Sequence, residues 1–497
     1  MTSVPPNPLA SGFHPDPSVV RVGDDYYLAN STFEYLPGIP VQHSRDLVTW
    51  EHVGHVVERD GQLDITDVPT LGGAWAPTIR HHDGRFWIAV TDAMGRGTLV
   101  FTADSPAGPW SDGVLVEGMD GIDPDLAWDE DGTCYLTYSA LRLSGMGHDG
   151  IEQFRVDPLT GQMLEEPRPL WSGTGLMFPE GPHLYQHDGW WYLFIAEGGT
   201  ERGHSVSVAR STRPDGPFEG CPANPLLTAA GTDRPVQNTG HGDLVQAPDG
   251  SWYLVLLGMR VRGGTRSFSP MGRETFCTPV TWKDGWPQIA PVVLSEPGPA
   301  VVWEDDFDAT VSDPAWLAVR RLPGDVADLT SRPGHLVLHA DGSDLGDLRP
   351  VFLGIRQAHM RSRFSAVVDA SAGTGGIAMR IDELHHVGIE LSGRTVVAHA
   401  QVSTFGETWS AQVPQGPVTL WLATDPIEPG GDFLESMSSD HLTLGYDGPD
   451  GPVTLARVDG RYFTAETTAS FAGRVVGLYA TDGTLAVDRV RYDGTDA

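Results

Sequence analysis

Three short motifs in this sequence place a carboxylate at the start of an apolar strand pattern. They begin at Asp16 (Asp-Pro-Ser), Asp123 (Asp-Pro-Asp) and Glu180 (Glu-Gly-Pro). A single Asp-Pro pair is commonly a turn, because the Asp side chain bonds to nearby backbone and Pro fixes the next φ. Carboxylates that face each other across a pocket can instead cleave a glycosidic bond, one as the acid and another as the base or nucleophile. A third carboxylate nearby would raise the pKa of the acid by like-charge repulsion.

The elements that position these carboxylates form an internal repeat. Five times, a turn rich in Gly and Asp leads into an aromatic, apolar strand, with marker aromatics 48 to 61 residues apart. The five copies are residues 23–28, 83–88, 131–136, 188–193 and 249–254. Asp-Gly before an apolar run favours a hairpin, and a strand-built repeat of this length indicates propeller blades. Residues 43–54, 101–113 and 209–220 predict an outer hairpin in three of them. We therefore predict an all-β fold that opens with a five-bladed β-propeller over residues 1–295.

A short strand precedes each marker aromatic and begins 11 or 12 residues before it. By this count, equivalent places in the five blades are held by Asp16, Ala76, Asp123, Glu180 and His241. The first strand of a propeller blade lines the central channel. We therefore expect these five positions to converge near the axis, with three carboxylates and a histidine among them.

Aromatic and basic residues near these positions fit a sugar pocket. Trp75 lies one residue before Ala76, Phe33 follows the first marker aromatic, and Arg273 lies in a Gly-containing turn after the fifth blade's strand. Sugar rings stack on aromatic faces while polar groups fix their hydroxyls. A guanidinium offers a planar fork of donors for hydroxyls or carboxylates.

Composition excludes several classes of partner. Acids outnumber bases by 66 to 32, a formal net charge of −34, which argues against nucleic acid and anionic membranes as partners. No run of 18 apolar residues occurs, and the N-terminus lacks the pattern of a secretory signal, so a cytoplasmic location is the expectation. Three widely spaced cysteines support neither a disulfide scaffold nor a zinc site.

The first 295 residues resemble glycoside hydrolase family 43, close to its β-xylosidases and α-L-arabinofuranosidases. The matching stretches occur in order along the chain and include GFHPDPSVVRVGDDYYL, GGAWAPTIRHHDGRFWI, GIDPDLAWDEDG, PEGPHLYQHDGWWYL, TGHGDLVQAPDGSWYL and MGRETFCTPVTWKDGWP. The resemblance implies a five-bladed propeller and exo-acting cleavage with inversion. An inverting site requires carboxyl groups about 6.5–9.5 Å apart.

The resemblance also implies roles for individual residues. Asp16 corresponds to the general base, Glu180 to the general acid, and Asp123 to the third carboxylate that orients the acid and tunes its pKa. The family's third carboxylate is commonly followed by Pro-Ser, whereas Pro124-Asp125 follows here, so Asp125 is the alternative holder of that role. Three further residues match positions that shape the glycone subsite, namely Phe33, Trp75 and Arg273. His241 matches a histidine that in some members lies beside a metal ion or a water cluster.

A second domain is predicted over residues 303–497, after a Pro-Gly-Pro linker near 293–303. Alternating strand patterns without the propeller repeat predict a β-sandwich. The stretch resembles the concanavalin-like C-terminal domain of family 43 xylosidases, which can lend an aromatic to the pocket mouth, and Phe471 is the candidate. No cofactor is expected to be required. Calcium in the channel or in the sandwich is the alternative, the latter held by Asp305, Asp306 and Asp488.

The leading functional hypothesis is hydrolysis of a terminal pentose, β-1,4-linked D-xylose, from the non-reducing end of xylo-oligosaccharides or aryl xylosides. Action on α-L-arabinofuranosides, alone or in addition, stays open, as does assembly into a homo-oligomer. A non-catalytic sugar-binding propeller would explain the repeat and the aromatics but not three carboxylates at the blade openings. A sialidase-like enzyme would need a cluster of arginines there, which the sequence lacks.

Overall fold

The computed structural model describes residues 5–145, 147–264, 268–309, 312–427, 432–468 and 471–497. The predicted all-β class is confirmed, because strands form the structure apart from one short helix and two 3₁₀ turns in the described ranges. No helix among the described residues is long and apolar enough to cross a membrane.

Five small antiparallel sheets follow one another along the first part of the chain and confirm the five predicted blades. The first repeat comprises β1 (Ser18–Val22), β2 (Asp25–Ala29), β3 (Tyr35–Leu36), β4 (Gly38–Ser44) and β5 (Glu51–Val57). The second comprises β6 (Gly73–His82), β7 (Arg85–Ala93), β8 (Gly97–Ala103) and β9 (Val114–Leu115). The third comprises β10 (Ile122–Trp128), β11 (Cys134–Leu141), β12 (His148–Asp157), β13 (Gln162–Met163) and β14 (Arg168–Trp171). The fourth comprises β15 (Glu180–His187), β16 (Trp190–Glu197), β17 (Ser205–Ser211), β18 (Glu219–Gly220) and β19 (Leu227–Thr228). The fifth comprises β20 (Val236–Gln246), β21 (Trp252–Arg260), β22 (Glu274–Lys283) and β23 (Trp286–Ile289).

The blades pack face to face around a closed ring. A separate apolar cluster fills each of the five spaces between neighbouring blades, including the space between the fifth blade and the first. The N-terminal segment closes this last joint, because the Asn7 side chain exchanges two hydrogen bonds of 2.8 Å with the backbone of Cys277 in β22. Such closure leaves only short sheet edges exposed. Closure of the ring also fixes the positions around the axis at which the first strand of each blade begins.

The predicted equivalence of the blade openings was wrong by one residue in the fourth blade. Asp16, Ala76, Asp123 and His241 all have left-handed φ values, between 39° and 55°, but in the fourth blade this conformation falls on Gly181, with φ 54°. The pairing of first and second strands agrees, with Ser18 opposite Ala29, Asp125 opposite Thr137 and His183 opposite Phe194. The count from the marker aromatic was misleading, because the connection between equivalent paired residues is one residue longer in the third blade (Ala127 to Tyr135) and in the fifth (Val245 to Tyr253) than in the others. Glu180 instead shares its place with Trp75 of the second blade.

The second domain is the predicted β-sandwich. Its elements are β24 (Val301–Asp305), β25 (Leu317–Val319), α1 (Pro323–Val326), β26 (Ala327–Asp328), β27 (Leu336–His339), β28 (Phe352–Arg356), β29 (Arg361–Asp382), β30 (His385–Ser392), β31 (Thr395–Val402), β32 (Phe405–Gln412), β33 (Val418–Pro426), a 3₁₀ turn (Glu435–Met437), β34 (Asp440–Gly448), β35 (Gly451–Asp459), a second 3₁₀ turn (Gly460–Phe463) and β36 (Val475–Thr495). Two of these strands are long enough to run through both layers. The first half of β29 pairs with β33 and its second half with β30, while β36 follows it along nearly its whole length.

The two domains are joined by backbone pairing as well as by packing. Strand β3 of the propeller pairs with β25 of the sandwich, and Arg320 donates its backbone N–H to the Glu34 carbonyl at 2.7 Å. An apolar cluster drawn from both domains lies beneath this joint and includes Phe13, Phe33 and Phe352. A loop of the sandwich is thereby held against the propeller at the end of the channel where the first strands begin.

Candidate active site

All eight predicted site residues line one cavity of about 260 Å³. The cavity lies at the channel mouth, where the first strands of the blades begin, and the sandwich contributes to its wall through Phe471. The carboxylates and the histidine come from four different blades. Their convergence therefore depends on closure of the whole ring and not on any one local motif.

Asp16 is held at both of its carboxylate oxygens. The Arg273 guanidinium donates from Nη1 to Oδ1 at 2.9 Å, and the Ser31 hydroxyl donates to Oδ2 at 2.7 Å. The same hydroxyl accepts the backbone N–H of Ala76 at 2.7 Å. This chain fixes the orientation of a carboxylate that is only 5 % exposed. The left-handed φ of 48° at Asp16, two residues before β1, turns its side chain toward the cavity.

Glu180 and Asp123 face the same space, and their electrostatics favour a protonated acid. Burial raises the pKa of Glu180 well above its ordinary value, and the nearby charges of Asp123 and Asp16 raise it further. Burial also raises the pKa of Asp123, with Asp16 adding to that rise. Asp123 accepts the backbone N–H of Gly181 at 2.9 Å, which ties it to the residue that follows Glu180. A carboxyl group kept protonated at neutral pH can serve as a general acid.

The alternative carboxylate, Asp125, points away from this cavity into the channel beneath it. Its Oδ1 lies 2.7 Å from Arg80 Nη2, and its Oδ2 accepts the backbone N–H of Leu184 at 2.8 Å. The Arg80 guanidinium also pairs with Asp243 Oδ2 at 2.8 Å. This buried cluster braces the first strands of neighbouring blades against one another. Asp123, and not Asp125, shares the cavity with Asp16 and Glu180.

Two aromatic rings flank the Arg273 guanidinium, and a third packs against both of them. Its central carbon lies 5.4 Å from the Phe33 ring centroid and 5.0 Å from that of Phe471. Trp75 meets Phe471 edge to face at 5.7 Å, and its indole N–H donates to the Leu71 carbonyl. The cavity therefore has apolar aromatic sides next to the charged Arg273 guanidinium, as a sugar subsite requires.

His241 lies between Asp16 and the fourth blade. Its Nδ1 is 3.9 Å from Asp16 Oδ1. A Cβ on Gly181 would come within 2.9 Å of the same ring nitrogen, and Gly181 also has φ 54°. Both facts explain why glycine, and no larger residue, follows Glu180.

Sequence reasoning missed His204, which packs behind Glu180. The imidazole is fully buried, and its Nδ1 faces the Asn238 carbonyl at 3.0 Å, which assigns the ring proton to Nδ1. The unprotonated Nε2 has no hydrogen-bond partner among the described residues and lies 3.7 Å from Glu180 Oε1. Burial lowers the pKa of His204 to about 3, so the ring stays neutral. His204 precedes β17, outside the blade openings, so the repeat gave no signal for it.

Other lining residues also escaped the sequence analysis. Thr200 accepts a second hydrogen bond from Arg273 Nη1 at 3.2 Å. Ile122 holds the place in the third blade that Trp75 holds in the second, so a repeat aligned on the left-handed residue would have found it. The remaining unpredicted lining residues are Leu141, Phe178, Gly199 and Glu201.

His241 and Asp305, two of the residues considered for calcium, contact other protein groups. No three His, Cys, Asp or Glu side chains converge to hold a metal ion anywhere in the described part of the chain. The rings of His241 and His183 are 6.3 Å apart, but calcium favours oxygen ligands over imidazole. Asp305 already accepts hydrogen bonds from Phe307 N and Trp316 Nε1, both at 2.9 Å.

Comparison with known proteins also points to an enzyme that cleaves glycosidic bonds. Residues 5–287 match the family described as glycosyl hydrolases family 43, and residues 304–493 match the β-xylosidase C-terminal concanavalin A-like domain. A xylosidase/arabinosidase of Butyrivibrio fibrisolvens is 34% identical over 96% of this chain and 95% of its own. A non-reducing end α-L-arabinofuranosidase of Bacteroides ovatus is 35% identical over 96% of this chain and 91% of its own. The crystal structure of xylan β-1,4-xylosidase from Bacillus halodurans C-125 superposes with a TM-score of 0.85, at 28% identity, over 98% of this chain and 99% of that one.

A propeller with buried carboxylates at its mouth, capped by a sandwich that completes the pocket, defines a glycoside hydrolase. The chain belongs to glycosyl hydrolase family 43. It acts on carbohydrate, and the predicted membership of this family is confirmed.

Proposed function

We propose that this protein is an exo-acting, inverting hydrolase that releases terminal β-1,4-linked D-xylose from xylo-oligosaccharides or aryl xylosides. The observation that carries the proposal is the cavity of about 260 Å³ into which Asp16, Asp123 and Glu180 all face. Ligand pockets commonly measure about 300–1,000 Å³, so this small space suits one terminal sugar better than the interior of a polymer. Phe33, Trp75 and Phe471 wall off the space beyond that sugar.

Glu180 acts as the general acid in this proposal. It is held protonated by burial and by two neighbouring carboxylates, and it gives its proton to the glycosidic oxygen as the bond to the anomeric carbon breaks. Asp123 binds the Gly181 N–H and keeps negative charge near the acid. After turnover, Glu180 regains a proton from solvent.

Asp16 acts as the general base. Its orientation is fixed by Arg273 and Ser31, and it takes a proton from the water whose oxygen bonds to the anomeric carbon. Water enters on the face opposite the departing oxygen, so the configuration of that carbon inverts. Arg273 also places its positive charge beside the sugar, between Phe33 and Phe471.

Release of α-L-arabinofuranose is the second candidate function. The Bacteroides ovatus relative bears that activity in its name, and the name of the Butyrivibrio fibrisolvens relative joins both activities. Both sugars are neutral pentoses of similar size, so the same acid, base and aromatic walls would serve either.

Hydrolysis of 4-nitrophenyl β-D-xyloside, α-L-arabinofuranoside and β-D-glucoside tests the proposal. We expect kcat/KM to be highest for the xyloside and at least tenfold lower for the glucoside. Proton NMR of the first product should show α-xylose from a β-xyloside. Higher kcat/KM for the arabinofuranoside would favour the second candidate, β-xylose as first product would contradict inversion, and no turnover of any glycoside would leave only a sugar-binding role.

A further inference from the structure

A second and larger cavity lies between the two domains. It measures about 640 Å³ and shares no lining residue with the candidate active site. The propeller contributes His14, Trp50 and His52 to its walls, and the sandwich contributes Arg356 and His359. Its lining differs from that of the sugar pocket, because one arginine and four histidines lie among apolar residues and only one acid of the described residues accompanies them.

Arg356, the last residue of β28, is the unusual member of this cavity. Its Nε and Nη2 atoms are buried and have no hydrogen-bond partner, and within the described ranges its guanidinium forms no ion pair. The group lies over the Phe13 ring at 5.4 Å. Burial lowers its pKa to about 10, so it remains charged at neutral pH. Buried donors of a charged group are costly when they lack partners, and Arg356 is half-buried with two such donors.

No acidic side chain of the described residues forms an ion pair with this guanidinium. The chain carries 66 acidic residues, yet Asp313 is the one acid that lines this cavity among the described residues. Its Oδ1 accepts the Ala315 N–H at 2.8 Å and its Oδ2 accepts the Trp303 indole N–H at 3.4 Å. Trp50, on the opposite wall, has a buried indole N–H without a hydrogen-bond partner in the described ranges. The cavity thus holds buried donors that need an acceptor.

Histidines complete the polar lining and are neutral in the empty cavity. Burial lowers the pKa of His14 to about 3, and the charge of Arg356 lowers it further. Burial also lowers the pKa of His52, His55 and His359. Neutral imidazoles do not compete with a ligand for the guanidinium, and they can take up a proton when negative charge arrives.

We propose that this interdomain cavity binds a small oxyanion, a carboxylate or a phosphate, whose oxygens accept hydrogen bonds from the Arg356 guanidinium. Two oxygens of a carboxylate or a phosphate match the spacing of the paired N–H donors of a guanidinium. Such charge-assisted hydrogen bonds are stronger than neutral ones. Because Arg356 belongs to the sandwich and Trp50 and His14 to the propeller, the bound anion would connect the two domains. The site is independent of the proposed glycosidase chemistry.

Isothermal titration of the full chain with inorganic phosphate, and separately with acetate, tests the site at constant ionic strength set by chloride. We expect one bound anion per chain, and at least tenfold weaker binding in Arg356→Gln. The matched control is Arg332→Gln, which alters an exposed sandwich arginine paired with Asp369 at 2.9 Å and should bind as the unmodified protein does. The anion that binds more tightly identifies phosphate or carboxylate as the better ligand.

Two results would overturn the site. One is that phosphate and acetate bind no better than chloride, and the other is that Arg356→Gln binds them as well as the unmodified protein does. If the Gln variant does not fold, Arg356→Lys keeps the charge and removes the paired donors. We then expect binding at least threefold weaker than in the unmodified protein, and unchanged binding in the Lys variant would contradict recognition by the guanidinium.

Discussion

Arg273 joins the candidate base to the second domain. Its Nη1 donates to Asp16 Oδ1 at 2.9 Å, and its guanidinium lies 5.0 Å from the ring of Phe471, which the sandwich contributes. The orientation of Asp16 therefore depends on a residue that is itself packed against the other domain. This relationship makes the sandwich part of the proposed sugar subsite and not only a structural cap.

Replacing Phe471 with Ala should weaken binding of the terminal sugar. The change removes one wall of the pocket and one of the two rings that hold the Arg273 guanidinium. An aromatic contact is worth about 0.5–1.5 kcal/mol beyond its buried area, so we expect KM for aryl xyloside to rise about tenfold with a smaller fall in kcat. Phe405→Ala is the control, because Phe405 is 78% exposed on β32. Equal effects of the two changes would contradict a role for Phe471 in the subsite.

Glu180→Gln should affect substrates according to their leaving groups. A general acid contributes about 10²–10⁴-fold where the leaving oxygen needs a proton. We expect a loss of that size on xylobiose and a far smaller one on 4-nitrophenyl xyloside, whose leaving group departs unprotonated. Steady-state kcat/KM for both substrates measures the difference. The exposed Glu117→Gln variant should match the unmodified protein, and equal losses on both substrates in Glu180→Gln would exclude it as the acid.

Asp16→Asn should reduce turnover of every substrate alike. The amide keeps the size of the side chain but cannot accept the proton of the attacking water, a step that all substrates share. We expect kcat to fall by about 10²–10⁴-fold on both xylobiose and the aryl xyloside. Thermal unfolding serves as the check on folding, since the amide oxygen can still accept from Ser31 or Arg273. Retention of activity on the aryl substrate alone would contradict the role of base.

The sequence predicted the fold and the residues that line the site, but not how those residues align from one blade to the next. The blade count and outer hairpins follow from local turn chemistry, which repeats five times. The position of Glu180 relative to Asp16 does not follow from that chemistry. The connection between the first two strands is one residue longer in two blades, so a count made from the marker aromatic aligns the blades wrongly. His204 and Thr200 lie in connections whose course depends on blade packing, and no periodic signal marks them.

Asp123→Asn should move the alkaline limb of the pH profile to lower pH. The charge of Asp123 raises the pKa of Glu180, so its removal lowers that pKa. The rate depends on protonated Glu180 and falls as pH rises through its pKa, so kcat/KM should begin to fall at a lower pH in the variant. Profiles of kcat/KM on xylobiose between pH 4 and 9 provide the measurement. An unmoved limb, or a shift to higher pH, would show that Asp123 does not tune the acid.

The joint between the domains should respond to pH through Glu34. Its carboxyl is fully buried, and neither oxygen has a hydrogen-bond partner in the part of the chain that the structure describes. Burial raises its pKa from 4.5 to about 7. The folded protein therefore binds this proton more tightly than the unfolded chain does. Its contribution to stability is complete below pH 4.5 and is lost as pH rises through about 7.

Glu34→Gln removes this titration and keeps the shape of the side chain. By pH 8 the unmodified protein should have lost about 3 kcal/mol of unfolding free energy relative to the variant, since one pKa unit corresponds to about 1.4 kcal/mol. Urea unfolding at pH 5 and pH 8 measures the difference between the two proteins. The exposed Glu130→Gln variant should follow the unmodified protein at both pH values. A difference that stays constant, or one that grows toward low pH, would mean that Glu34 is ionised in the folded state and paired with Arg320.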